Sequence, residues 1–258
     1  MRIATYNVNG VNGRLPRLLE WLGETRPDVA CLQEIKTTDE RVPASAVKEA
    51  GYHALWRGQR SHHGVAILSR KPAREIRRAL PGDEEDVQAR YLEAEVDGIT
   101  IASVYLPNGN PQPGPKFDYK LAWFERFNAH AAKLIASGGD AVLAGDLNVV
   151  PTRIDIYNAW LWRFDAVLQP ETQAAFRRLI GQGWVDATRH FHPDERIYTF
   201  WVNADAYRRN AGFRMDFLLV SPPLAPRLAA AGVDHEHRGR EKPSDHAPVW
   251  IELGRVAH

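Results

Sequence analysis

The chain has 258 residues, 44% hydrophobic and 25% charged, with 33 basic side chains against 32 acidic ones. This is the composition of a globular chain able to build a sizeable core, and a formal charge of +1 neither requires nor forbids a polyanionic partner. No stretch approaches the roughly 20 apolar residues of a bilayer span, MRIATYNVNG lacks a basic-then-apolar leader, and the lone Cys31 rules out an internal disulfide, so a cytoplasmic protein is expected.

In chain order, Arg2 to Tyr6 alternates as a strand does. Leu15, Leu18, Leu19 and Leu22 share one face of a helix that Pro27 follows. Asp28 to Leu32 is a short continuous apolar run, the pattern of a strand buried on both faces, and Cys31 within it reads as a small core residue. Gly64 to Ser69 is a second such run. Tyr91 to Val96 and Ile99 to Tyr105 flank Asp97-Gly98, a strong hairpin signal. Pro107 to Pro115 (PNGNPQPGP) reads as a functional surface loop between two strong elements. A long helix over Lys116 to Ala136 is closed by Gly138-Gly139. A buried strand over Asp140 to Ala144, a helix over Glu171 to Ile180, and strands over Phe213 to Ser221 and Ala247 to Leu253 complete the set. Mixed strands and helices with hairpins among them predict a two-layer sheet core with helices outside. PDVACLQE and GDAVLAGDLN echo one another, each a buried strand with a polar residue at its end.

The polar residues just past strand ends carry the chemistry. They are Asn7, Glu34, Tyr105, Asp146 with Asn148, Asp216, and the pair Asp245-His246. One such residue alone is ordinarily a turn residue or a helix N-cap. Delivered together, they would form a cluster of carboxylates, amides and an imidazole, which suits a hard divalent cation such as magnesium. The paired histidines His62-His63, His190 with His192, and His235 with His237 match no zinc pattern. Phosphate-loop, nucleophile-elbow and dinucleotide fingerprints are absent.

The segments TYNVNG (5–10), CLQEIK (31–36), HHGVAILS (62–69), VYLPNG (104–109), GDLNVVPTRIDIYN (145–158), WVDATRHFHP (184–193), YTFW (198–201), FRMDFLLVS (213–221) and PSDHAPV (243–249) resemble the motifs of the exonuclease III / abasic-site endonuclease family, in that family's order. The resemblance implies a DNase I-like fold, a four-layered α/β sandwich of two packed mixed sheets flanked by helices, with residues 1–258 as one catalytic domain. It implies a Mg²⁺-dependent DNA-repair phosphodiesterase, with Mn²⁺ as a substitute. Such an enzyme cuts double-stranded DNA 5′ to abasic sites, trims 3′ ends from 3′ to 5′, and works as a monomer. The alternative is a relative acting on RNA, a phospholipid or an inositol phosphate.

Site roles follow from the same resemblance. Glu34 is the principal metal ligand with Asn7 beside it and Asp245 on the metal side, while Asp146, Asn148 and His246 serve both the metal site and catalysis. Asp146 handles the attacking water or the leaving-group proton, Asn148 positions water or phosphate, Asp216 orients His246, and Tyr105 contacts phosphate. Phe200, Phe213 and Met215 form the apolar pocket for a base-free sugar, with Phe213 standing where the family pattern leads one to expect Trp or Leu. Arg57, Arg60 and His62 on one loop, and Arg208 and Asn210 on another, are the expected DNA contacts.

Overall fold

The alternating N-terminal run becomes strand β1 (Arg2–Asn7) in a computed structural model that describes residues 1–254. The other strands are β2 (Val29–Gln33), β3 (His53–Arg57), β4 (Val65–Ser69), β5 (Arg74–Arg77), β6 (Tyr91–Val96) and β7 (Ile99–Tyr105). They continue with β8 (Ala141–Asp146), β9 (Val185–Asp186), β10 (Asp216–Val220), β11 (Leu228–Val233) and β12 (Val249–Leu253). The helices are α1 (Leu15–Thr25), α2 (Ala44–Glu49), α3 (Pro115–Ala136), α4 (Pro170–Gly181), α5 (Ala187–Phe191) and α6 (Ala204–Arg208). None is long and apolar enough to cross a membrane among the described residues.

The strands form two six-stranded sheets, ordered β11-β12-β1-β2-β4-β3 and β5-β6-β7-β8-β10-β9. Both are mixed: β1 pairs with β2, and β7 with β8, in parallel, while the remaining pairings are antiparallel. The parallel pairs are bridged by α1 and α3 respectively. The predicted echo is therefore two strand–helix–strand units, one in each sheet.

Between the sheets, Ile3, Val29, Cys31 and Ile67 pack with Leu92, Ile101, Val142 and Leu218. Burial pushes the Cys31 thiol far above its ordinary pKa, which fits a core residue. The outer face of the first sheet packs Ala4, Tyr6 and Leu32 against Leu18, Trp21 and Leu22 of α1. The outer face of the second packs Val104, Leu143 and Phe217 against Trp123, Phe124 and Phe127 of α3 and Phe176 of α4. Helix, sheet, sheet, helix is the expected four-layered sandwich. Gly145 marks how tightly β7 and β8 approach, because a Cβ there would stand 1.8 Å from the Val104 carbonyl oxygen.

Trp21 replaces Leu19 on the buried face of α1. The predicted last strands begin late: Phe213 makes only isolated bridges, to Ile156 and Phe200, before β10 starts at Asp216. Strands β3, β5, β9 and β11 lie outside the predicted set. Strand β5 reads REIR and lies at a sheet edge, where charged side chains deter further pairing and hide the apolar alternation.

A buried ion network ties the chain after β8 to the start of β10. Asp155 Oδ1 accepts from Arg214 Nε and Arg189 Nη2, both at 2.5 Å, and Arg214 Nη1 reaches Asp186 Oδ2 at 2.8 Å. Asp155 is fully buried and Arg214 is 1% exposed. Removing the shared carboxylate strands a guanidinium in the interior. Asp155→Ala should therefore destabilise the protein by about 3–5 kcal/mol, read as a lowered urea midpoint with an unchanged slope.

Candidate active site

Every strand that carries a site residue ends, or begins, at the same end of the sandwich. In the second sheet Tyr105, Asp146 and Asp216 stand side by side, since Tyr105 pairs with Asp146 and Asp146 with Asp216. In the first sheet Asn7 pairs with Gln33, the residue before Glu34. The loops then turn sharply. Asn9, Glu34, Lys36 and Asn148 all hold positive φ, between 43° and 52°, a conformation that re-aims the side chain at a local energetic cost.

The two halves meet at Asn7. Its buried amide nitrogen donates to Glu34 Oε1 and to Asp146 Oδ2, each at 3.0 Å. Tyr105 donates its hydroxyl to Glu34 Oε1 at 2.7 Å. The other Glu34 oxygen meets Lys36 Nζ at 2.8 Å, and Lys36 also donates to Asn9 Oδ1 at 2.6 Å. Asn9 closes the ring by donating its backbone N–H to Asn7 Oδ1 at 3.1 Å, and its side chain donates to Asp245 Oδ1 at 2.9 Å. Burial alone would raise the Glu34 pKa, but Lys36, Asn7 and Tyr105 bring it below the ordinary carboxylate value. Burial and the facing Glu34 and Asp146 carboxylates push Tyr105 well above its ordinary value, so it is a neutral phenol.

On the other side, His246 Nδ1 lies 2.8 Å from Asp216 Oδ2, and Nε2 faces Asp146 Oδ2 at 3.8 Å. Burial opposes charge on this imidazole, but Asp216 and Asp146 outweigh it and raise its pKa to about 10. Asp146 is pushed up to about 7 by burial, against the pull of His246. Asp216 is positioned in turn: Thr199 Oγ1 donates to its Oδ2 at 2.6 Å, while its buried Oδ1 has no partner. Asn148 is pinned at both ends, donating to the Leu106 carbonyl at 2.9 Å and accepting from Asn108 at 3.1 Å. Beneath it the buried Lys120 ammonium donates to the Asn148 and Asn108 carbonyls.

All eight predicted polar residues thus converge. Asn9, Lys36, Asn108, Lys120, Thr199 and Ser244, whose hydroxyl donates to the Asn7 carbonyl, complete the shell and were missed. Most of them lie inside the motifs read from the sequence, as in TYNVNG and YTFW, so their neighbourhood was legible and their partners were not. The apolar residues divide differently. Phe200 is half-buried with its ring 4.9 Å from that of His246, whereas Phe213 and Met215 are 6% and 5% exposed and pack with Val150, Ile156 and Val167. Of the expected DNA contacts, Arg60 and His62 are exposed, and Arg57 is half-buried with its Nη2 toward the Val87 carbonyl. Arg208 shares Asp205 with Arg209, and Asn210 accepts from the Trp201 indole.

The donor chemistry fits a hard divalent cation. Glu34 and Asp245 offer carboxylate oxygens, Asn7 offers an amide oxygen that accepts from the Asn9 N–H at 3.1 Å, and Glu34 already binds a positive charge, the Lys36 ammonium. Asp146, Asp216 and His246 also place ligand atoms within 4.8 Å of one another, as a metal site would.

This combination of fold and strand-end cluster defines a phosphoester-cleaving sandwich, and the profile of the Endonuclease/Exonuclease/phosphatase family matches residues 4–246. The exodeoxyribonuclease III of Haemophilus influenzae is 33% identical over 98% of this chain and 100% of its own. An AP endonuclease from Archaeoglobus fulgidus superposes with a TM-score of 0.94 at 34% identity, covering 98% of this chain and 99% of its own. The 3′ phosphatase NExo from Neisseria, solved with a product DNA hairpin, superposes with a TM-score of 0.95 at 36% identity over 99% and 100%. The chain belongs to the exonuclease III / AP endonuclease family.

The Asp216–His246 pair gives a pH test. Its stabilising contribution is complete below the unfolded imidazole pKa near 6.5 and is lost as pH rises through about 10. In Asp216→Asn the imidazole should titrate several units lower, followed by ¹H–¹⁵N NMR of the ring nitrogens. An unchanged titration would assign the elevated pKa to another group.

Proposed function

We propose that this protein is a Mg²⁺-dependent DNA-repair phosphodiesterase that incises double-stranded DNA 5′ to abasic sites and processes 3′ ends. The observation that carries the reading is the junction of Glu34, Asn7, Asp146 and His246, which puts an oxygen-rich cation seat beside a carboxylate–imidazolium pair. Its relatives, named for AP endonuclease, exodeoxyribonuclease and 3′ phosphatase activities, support DNA as the substrate.

Glu34, with Asn7 and Asp245 nearby, would hold the cation. When bound, Mg²⁺ supplies Lewis-acid neutralisation of phosphate charge. Lys36 would then give up part of its contact with Glu34 and remain within reach through Asn9.

Asp146 is the proton acceptor. A carboxylate with a pKa near 7 is matched to its task at neutral pH. Water attacks phosphorus, its proton passes to Asp146, and the bond to the leaving 3′-oxygen breaks as that oxygen takes a proton from solvent water. His246 Nε2–H, oriented by Asp216, would donate to a non-bridging oxygen of the phosphate. Asn148 holds the loop that carries Asp146 through its backbone N–H to Asp146 Oδ1 at 2.9 Å. Phe200, beside His246, forms the mouth of the sugar pocket, with Phe213 and Met215 as its packed wall. Arg57, Arg60, His62, Arg208 and Asn210 would follow the backbone at greater distance.

An end-labelled duplex carrying one abasic analogue, beside an intact duplex, tests this on a denaturing gel. Incision should require Mg²⁺, accept Mn²⁺, and fall by about 10²–10³-fold in Glu34→Ala, as expected for loss of one preorganised electrostatic element. Faster turnover of an RNA, phospholipid or inositol phosphate substrate would replace the reading.

A further inference from the structure

A second cluster lies outside the strand-end site, on the loop over residues 157–164 (YNAWLWRF) between β8 and α4. Trp160, Leu161 and Phe164 are 70%, 70% and 72% exposed, and Tyr157 is 54% exposed. Large apolar side chains grouped this way mark a binding surface more often than idle surface. The loop is not slack. Asn158 Oδ1 accepts from the Trp160 N–H at 3.1 Å, Asp165 N–H donates to the Trp162 carbonyl at 2.8 Å, and Gln169 ties down the Arg163 carbonyl at 3.1 Å. The Arg163 guanidinium lies 4.1 Å from the centre of the Trp160 ring and 4.4 Å from that of Phe164. Arg163 also donates to the Trp160 carbonyl at 2.8 Å, which holds that arrangement.

Charge identifies the occupant. Two adjoining hollows flank the loop and share Arg153, Ile156, Ala159 and Arg163, and the outer one adds Arg196. No carboxylate lines either hollow. Among the described residues none of these three arginines is in a salt bridge. Flat rings beside uncompensated guanidinium groups form a stacking platform for nucleobases with contacts for phosphates. A second copy of the chain fits poorly, because a symmetric contact would bring the same arginines face to face.

The platform is also coupled to the site. Trp162, the one tryptophan of the loop turned inward, packs edge-on against Phe213 at 4.8 Å. Phe213 lies 5.6 Å from Phe200, and Phe200 4.9 Å from His246. A strand gripped at Trp160 is thus referenced to the phosphate-binding imidazole through three packed rings.

We infer that the Trp160–Arg163–Phe164 face stacks an unpaired nucleobase of the DNA substrate, while Arg153 and Arg196 hold the adjoining phosphates. This rests on the DNA reading above and narrows it: the preferred substrate has single-stranded character next to the cleaved position, as at a frayed 3′ end or a gap. Trp160 and Phe164 point outward from the loop, 70% and 72% exposed, so truncating them should weaken binding and leave the chemical step intact.

The test uses the full chain in Ca²⁺ or EDTA, with oligonucleotides carrying 2-aminopurine at successive unpaired positions beside a duplex end. The wild type should quench one such position selectively. The double variant Trp160→Ala/Phe164→Ala should lose the quench and bind the tailed DNA about tenfold or more weakly, since one stacked base contributes a factor of roughly 5 to 150. Trp160→Phe should retain most of both. The thermal midpoint and single-turnover rate at saturating DNA should stay unchanged. Equal binding losses for tailed and blunt duplexes, or unaltered quenching in the double variant, would overturn the inference. So would a wild-type dimer in sedimentation velocity that the double variant dissolves. A protein that binds tailed DNA with the selective quench yet incises nothing would sink the proposed activity and leave the platform standing.

Discussion

One buried amide holds the site together. Asn7 lies at the end of the first sheet and is fully buried, and its nitrogen is shared between a carboxylate of its own sheet, Glu34, and one of the other sheet, Asp146. The sandwich interface below is apolar and nondirectional, so it fixes the distance between the sheets more firmly than their registration. The shared amide supplies that registration at the place where chemistry depends on it. Without it Glu34 Oε1 would keep only the Tyr105 hydroxyl, and the buried Asp146 Oδ2 would have only the His246 imidazole at 3.8 Å, which is costly. The contact therefore cannot be released without penalty on both sides.

The same economy explains the division of charge. Glu34 is surrounded by donors and stays anionic; Asp146, deeper and closer to other acids, is raised to about 7. Two acids at one sheet end thus differ in proton affinity because their partners differ. Environments that push similar groups apart assign them different roles, one to hold a cation and one to accept a proton. His246 takes the third position, kept charged by Asp216, whose orientation depends on Thr199. The near-neutral total charge of the chain conceals all of this, because acids and bases are sorted by location.

Much of the fold was legible because its strands are buried on both faces and read as short apolar runs, as in VACLQ and AVLAG. The polar residue after each run was legible for the same reason: it breaks an apolar pattern. Strands such as HALWR and LAAAGV were not, since edge positions lack a distinctive period. Nor were Lys36, Thr199 and Lys120 legible as site partners. Their roles depend on meeting residues far away in sequence, and neither burial nor partner follows from local spacing. Lys120 sits in the second turn of α3 and reads as a solvated helix lysine, yet it is fully buried beneath Asn148.

Phe213 shows how a departure from an expected pattern is absorbed. The position leads one to expect Trp or Leu, and Phe there presents a different wall to the sugar pocket. Trp162 lies against it at an interplanar angle of 84°, and Leu168 and Ala159 pack around the same cluster. Aromatic volume is thus supplied from the neighbouring loop as well as from the strand. A wall built from two segments makes the pocket depend on how the 157–164 loop is seated. Under the proposed reading, selection of the base-free sugar rests on the loop and the strand together, and no single residue at position 213 decides it.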